Sequence, residues 1–413
     1  RILRDLLGFA FFALLVELTF GGKLAGRQQY SKSEIQQRTQ ISTTSNLITV
    51  FMCGDVMIGR GIDQILPHPS NPLLHELYVR SATRYVELAE TANGPISKPV
   101  SFSYPWGDAL DELERVDPDL RIINLETSVT TSNDYWRGKG IHYRIHPKNI
   151  PCLTTAKIDF CSLGNNHILD WGYSGLTETL ETLKKLNISS AGAGQNLQEA
   201  EKPALMEVEG KGRVVAFSYG LQSSGIPHGW AGSKDRPGVN LLKSLSDPTV
   251  RQIKEQVDAV KQKRDIVMAS IHWGGNWGYD VDREQREFAH KLIDHARVDV
   301  IHGHSSHHVK GIEVYKERPI IYGCGDFLND YEGISGYENF RDDLALMYFV
   351  SMDPSTGQLI RLHMTPMQIR HFRANKVPKI AVLWLRDVLN REGKKFGTRV
   401  RMNQESTLEL EWD

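Results

Sequence analysis

The feature that most constrains this chain is a junction that recurs along it. Short apolar runs rich in Val and Ile, at Leu47–Cys53, Leu120–Ile123, Ile158–Leu163, Val214–Ser218, Ile266–Ile271, Val298–Ile301 and Ile320–Tyr322, break off abruptly into polar or glycine-bearing segments. Their length is that of strands, not helices, and their unbroken apolar character predicts strands buried on both faces. Amphipathic helical spacing falls between several of them, over Tyr173–Leu186, Asp247–Arg264 and Asp282–Ala296. Strands alternating with helices predict an α/β fold with largely buried sheets. A late hairpin is predicted around Pro354-Ser355-Thr356-Gly357, and a helical stretch near Ile380–Leu389.

The polar segments after these runs carry the chemistry. Six junctions read Gly54-Asp55, Asn124-Leu125-Glu126, Gly164-Asn165-Asn166-His167, His272-Trp273-Gly274, His302-Gly303-His304 with His307 and His308 beyond, and Gly325-Asp326. In open α/β sheets, ligands bind outside the carboxyl ends of the strands. Carboxylates, an amide oxygen and imidazoles form the mixed N/O donor set that suits Mn, Fe or Zn. Any one junction alone is ordinary: Asp55 would be a turn former, Asn165-Asn166-His167 a helix cap, His272 a hydrogen-bonded core residue. Six in order are not ordinary. Seven of the fifteen histidines lie between His272 and His308, and not all of them can be ligands. His290 and His295 belong to the predicted Asp282–Ala296 helix and are expected outside the site. His302 is left open, and His308 is expected to turn away from its neighbour His307.

Composition narrows the function classes. With 49 basic against 50 acidic residues, nothing electrostatic favours nucleic acid as a partner. Cys53, Cys152, Cys161 and Cys324 have no CxxC or zinc-finger spacing and read as reduced thiols, three of them in or beside apolar runs. Residues Leu6 to Phe20 are strongly apolar, interrupted mainly by Glu17 and preceded by Arg1 and Arg4. Residues 1–20 therefore read either as a signal or anchor segment or as an amphipathic or packed helix. A polar linker is expected over 21–46, a folded domain over 47–350, and a hairpin and tail over 351–413.

The ordered motifs Gly-Asp, Asn-Leu-Glu, Gly-Asn-Asn-His, His-Trp-Gly and Gly-His-x-x-His-x-x-x-Gly-Ile-Glu, from about Leu47 to about Val350, resemble those of the CapA family. These are capsule and poly-γ-glutamate synthesis proteins of the calcineurin-like metallophosphoesterase superfamily. The resemblance implies a four-layer α/β/β/α sandwich and two divalent metal ions. It implies Asp55, Glu126, Asn166, His272, His304 and His307 as ligands. It further implies His167 as the acid–base residue, with Asn124 and Asn165 on the substrate. The implied partners are an anionic polymer or phosphorylated substrate and a membrane-bound synthase complex. The expected location is membrane-anchored or secreted, at the cell surface, or the cytoplasm if residues 1–20 are no signal. Three departures stand out. Met57 replaces the histidine of the superfamily's Asp-x-His, Glu126 replaces an Asp, and the His304/His307 pair is spaced one residue wider than usual.

Overall fold

A computed structural model describes residues 46–413. The expectations for residues 1–20, and for 21–45 of the linker, lie outside the described residues. Two sheets dominate. The first runs Thr398–Met402, Leu408–Trp412, Gln358–Arg370, Leu344–Asp353, Ile48–Val56, Leu120–Leu125, Phe160–Ser162, Ser189–Ala191. Asp326–Leu328 also pairs with Ile48–Val56, in parallel. The second runs Leu241–Leu242, Gly212–Leu221, Asp265–His272, Val300–His304, Arg318–Ile321, Ile312–Tyr315, with Ala204–Val208 beside Gly212–Leu221.

Side chains alternate across a strand, and here the alternation sorts them into distinct cores. Val50, Met52, Ile122, Val214, Met268 and Val300 fill a layer between the two sheets. Their neighbours Phe51 and Ile123 point outward from the first sheet onto the helices Thr83–Asn93, Ala109–Val116, Pro151–Thr155 and Gly172–Lys185. Val215, Val267 and Ile301 point outward from the second sheet onto Asp247–Asp258 and Arg283–Ala296. Three apolar layers imply four structural ones, so the fold is the expected α/β/β/α sandwich. Both faces of the central strands are apolar because both are covered.

Residues 351–413, expected as a hairpin and tail, are woven into the same body. Leu344–Asp353 pairs antiparallel with both Ile48–Val56 and Gln358–Arg370. The helix Lys379–Gly393 sends Val382, Leu385 and Leu389 into the layer between the sheets. All four cysteines are free and buried.

Candidate functional site

The parallel ladders decide where the polar junctions meet. Asp55 is in register with Asn124 on one side and with Asp326 on the other, and His272 is in register with His304. These residues lie on the strands themselves, not on the loops after them. Asp265–His272 and Val300–His304 end on their histidines. Gly54 makes the approach of Asp326 possible: a Cβ there would sit 1.8 Å from the Gly325 carbonyl oxygen, which instead accepts from the Asp55 N–H at 3.1 Å. After His304 the chain turns through Ser305 at φ 99°, and the Ser305 N–H donates to Asp55 Oδ2 at 3.2 Å.

Asp55, His272 and His304 each bring a ligand atom within 4.8 Å of the others, and all three are buried. The two Nδ1 atoms are 2.7 Å apart, and His304 Nδ1 is 3.9 Å from Asp55 Oδ1. On the far side of His272, Nε2 lies 2.9 Å from Asn166 Oδ1 and 3.8 Å from Glu126 Oε1. His307 packs beside this group with Nδ1 2.9 Å from Asp326 Oδ1. The six residues expected as ligands therefore gather at one end of the paired sheets.

Asn124 and Asn165, expected on the substrate, make their hydrogen bonds within the protein. Asn124 Nδ2 donates to Asp55 Oδ1 at 2.7 Å and to Glu126 Oε2 at 3.3 Å, and its Oδ1 accepts from Asn165 Nδ2. Asn165 also donates to the Leu125 carbonyl and accepts from the His167 N–H. Both amides are fully buried, and both N–H donors of each are spent on the protein.

His167 turns Nε2 toward Glu126 Oε1, 3.6 Å away. Its Nδ1 lies 2.6 Å from Asp170 Oδ2 and 2.8 Å from Lys139 Nζ, and Lys139 is itself paired with Asp170. Three residues at this site are not among the expected site residues: Asp326, Asp170 and Lys139. Asp326 stands in the sixth junction, and Asp170 follows His167 by three residues. Lys139 has no such signal, because it lies on an irregular segment.

The electrostatics fit a cation. Burial, then the neighbouring Asp326, pushes the Asp55 carboxyl up to about 7. Burial, then Asp55 and Asp326, raises Glu126 far above the usual carboxylate range. Burial holds His272 and His304 well below the ordinary histidine value, with neighbouring imidazoles adding to it, so both offer lone pairs. Burial opposes charge on His307, yet Asp326 beside it leaves its pKa raised. Burial, then Lys139, lowers His167. Crowded buried carboxylates beside neutral imidazoles are a donor set that divalent N/O-preferring ions satisfy.

The other histidines behave differently. His290 sits on its helix against Glu313 and stacked on Tyr315, and His295 is on the same helix. His308 bonds to the Val309 carbonyl and the Gly278 N–H. Met57 is buried with its sulfur 3.5 Å from the Tyr331 hydroxyl.

The profile of the bacterial capsule synthesis protein PGA_cap matches residues 49–331, more than half of the chain and all six junctions. The chain belongs to that family. A Mycobacterium tuberculosis relative, named a probable polyglutamine synthesis accessory protein, is 46% identical over 369 residues, covering 88% of this chain and 96% of the relative. The Bacillus subtilis PGA biosynthesis protein CapA is 30% identical over 257 residues, covering 62% of this chain and 63% of that one. Among solved structures, a phosphatase from Mycoplasma pneumoniae aligns with 80% of this chain and 95% of its own at 12% identity and a TM-score of 0.43.

Proposed function

We propose that this protein serves the production of an anionic polymer of the poly-γ-glutamate type through a metal-dependent, phosphoesterase-like site. One observation carries the reading: donor side chains from separate strand ends converge in a single buried cluster around Asp55, His272 and His304. Asp55, Glu126, Asn166, His272, His304 and His307 would share two divalent ions, with Asp55, His272 and His304 around one of them. Mn, Fe and Zn all suit these donors. Such ions polarise a phosphoryl or acyl oxygen and lower the pKa of water.

The chain's own groups supply the rest. His167 is placed to give or take a proton at a reacting oxygen, with Asp170 holding its Nδ1 side. The ammonium of Lys139 adds positive charge beside it for an anionic substrate group. Asn124 and Asn165 keep the carboxylates aimed. The test is turnover of bis(p-nitrophenyl) phosphate by the purified protein. Activity that disappears with chelator and in Asp55→Ala supports the reading; a metal-loaded protein without turnover defeats its catalytic part.

A second reading keeps the same site as a binder that guides the polymer or its membrane-bound synthase without turnover. Met57 favours it, because a buried thioether replaces an expected nitrogen ligand and weakens one ion position. Polymer binding in the absence of turnover would select this reading. Among the described residues no helix is long and apolar enough to cross a membrane. The apolar run Leu6 to Phe20 motivates a membrane or cell-surface location, and fractionation of the full chain tests it.

A further inference from the structure

His302 has no place in the cluster of Asp55, His272 and His304, yet it is fully buried in the layer between the sheets. Its surroundings dictate its hydrogens. Nε2 lies 2.8 Å from the Cys53 carbonyl oxygen. A carbonyl only accepts, so Nε2 carries a proton and donates. The ring otherwise meets only the Ser270 hydroxyl, 3.0 Å from Nδ1. Buried against a carbonyl and a hydroxyl with no carboxylate in hydrogen-bond reach, the ring is neutral and Nδ1 must accept.

Ser270 therefore spends its single hydrogen on His302. Its oxygen is also 2.9 Å from His304 Nε2. With no hydrogen left, Ser270 can only accept there, so His304 Nε2 is protonated. The lone pair of neutral His304 is then on Nδ1, the atom that faces Asp55 Oδ1 and His272 Nδ1. The topology makes this arrangement natural. Ser270 is in register with His302 across the Asp265–His272 and Val300–His304 strands, and His304 follows His302 by two residues on the same face. Cys53 is two residues before Asp55 on the opposite sheet. One main-chain carbonyl thus determines a tautomer three hydrogen bonds away, across the gap between the sheets.

We propose that Ser270 and His302 are positioning residues that, with the Cys53 carbonyl, fix His304 as the Nε2–H tautomer and present its Nδ1 to a divalent ion. The proposal rests on reading Asp55, His272 and His304 as a metal site. A carboxylate or carbonyl behind a ligating histidine is the common device for this purpose. Here a hydroxyl and a second histidine extend it to the neighbouring sheet.

The decisive experiment compares wild type, Ser270→Ala and Ser270→Thr, the last keeping the hydroxyl. Imidazole nitrogen NMR on the metal-free proteins, with His304 assigned by its own substitution, reads the tautomer. Zinc affinity is measured by competition with a chromophoric chelator. Wild type and Ser270→Thr should show a protonated His304 Nε2; Ser270→Ala should lose that state and bind zinc about 10- to 100-fold more weakly. If Ser270→Ala merely lowers the melting temperature, with tautomer and affinity unchanged, the relay is only a tie between sheets and the proposal falls. His302→Leu, which removes the acceptor for the Ser270 hydrogen, gives a second reading should Ser270→Thr pack poorly: an unchanged tautomer and affinity in that variant also overturn it. A wild type that binds no zinc, manganese or iron overturns the metal reading itself and the inference with it, whereas equal zinc binding by wild type and Ser270→Ala overturns the relay alone.

Discussion

The site has two halves built by different means. Asp55, Asn124, His272 and His304 lie on strands, held in register with a neighbouring strand and by a core packed above and below. Asn166, His167, Lys139 and His307 lie on connecting segments and are held by side-chain contacts, such as Lys139 and Asp170 around the His167 ring. A strand end cannot move without disturbing a sheet, whereas a loop can adjust to its ligand. The strand-borne half therefore suits holding ions at fixed separations, and the loop-borne half suits meeting a substrate.

That contrast breaks if substitutions in the two halves have the same consequence. Asp55→Ala should have the largest effect. Metal content measured by mass spectrometry should collapse and turnover fall by roughly 10³-fold, about 4 kcal/mol of transition-state stabilisation. His167→Ala should leave metal content at the wild-type level and lower kcat by roughly 10²-fold or more; metal loss here would merge the halves. His307→Ala sharpens the comparison, because His307 is loop-borne yet proposed as a ligand. It should lower stoichiometry from two ions toward one, and a wild type holding a single ion would return His307 to the substrate side. Lys139→Gln should have the smallest effect, raising KM about tenfold for an anionic substrate with metal content intact, the size of one charge-assisted hydrogen bond.

The same division explains how much is legible in the amino-acid sequence. Strand-borne residues announce themselves, because a buried strand must be apolar and a polar residue at its end is conspicuous. Asp55, His272 and His304 stand out for this reason, and so do the helices that bury apolar faces, Gly172–Lys185 and Arg283–Ala296. The helices Thr83–Asn93 and Ala109–Val116 are harder to see, since few of their residues are buried and no strand lies between them and the first junction. Lys139 is invisible for a different reason: its role depends on Asp170, far along the chain, and on a fold that brings them together. Asn124 and Asn165 mark the limit of motif reading. Their position at strand ends is evident, but whether an amide faces the substrate or braces a carboxylate depends on which neighbours reach it in space.

The raised carboxyls have a calorimetric consequence. With Asp55 near 7 and Glu126 far above the usual carboxylate range, the metal-free protein at neutral pH stores protons that a divalent ion must displace. Loading will therefore acidify its surroundings, and the heat measured will include the ionisation enthalpy of whatever buffer takes up those protons. Titrations of manganese into the protein in Pipes and in Tris should differ in apparent enthalpy by the number of protons released multiplied by the difference in buffer ionisation heats. That number should shrink as pH rises past the carboxyl pKa values, and apparent affinity should rise with it. Identical heats in the two buffers would mean that the ion enters a site whose carboxylates were already bare.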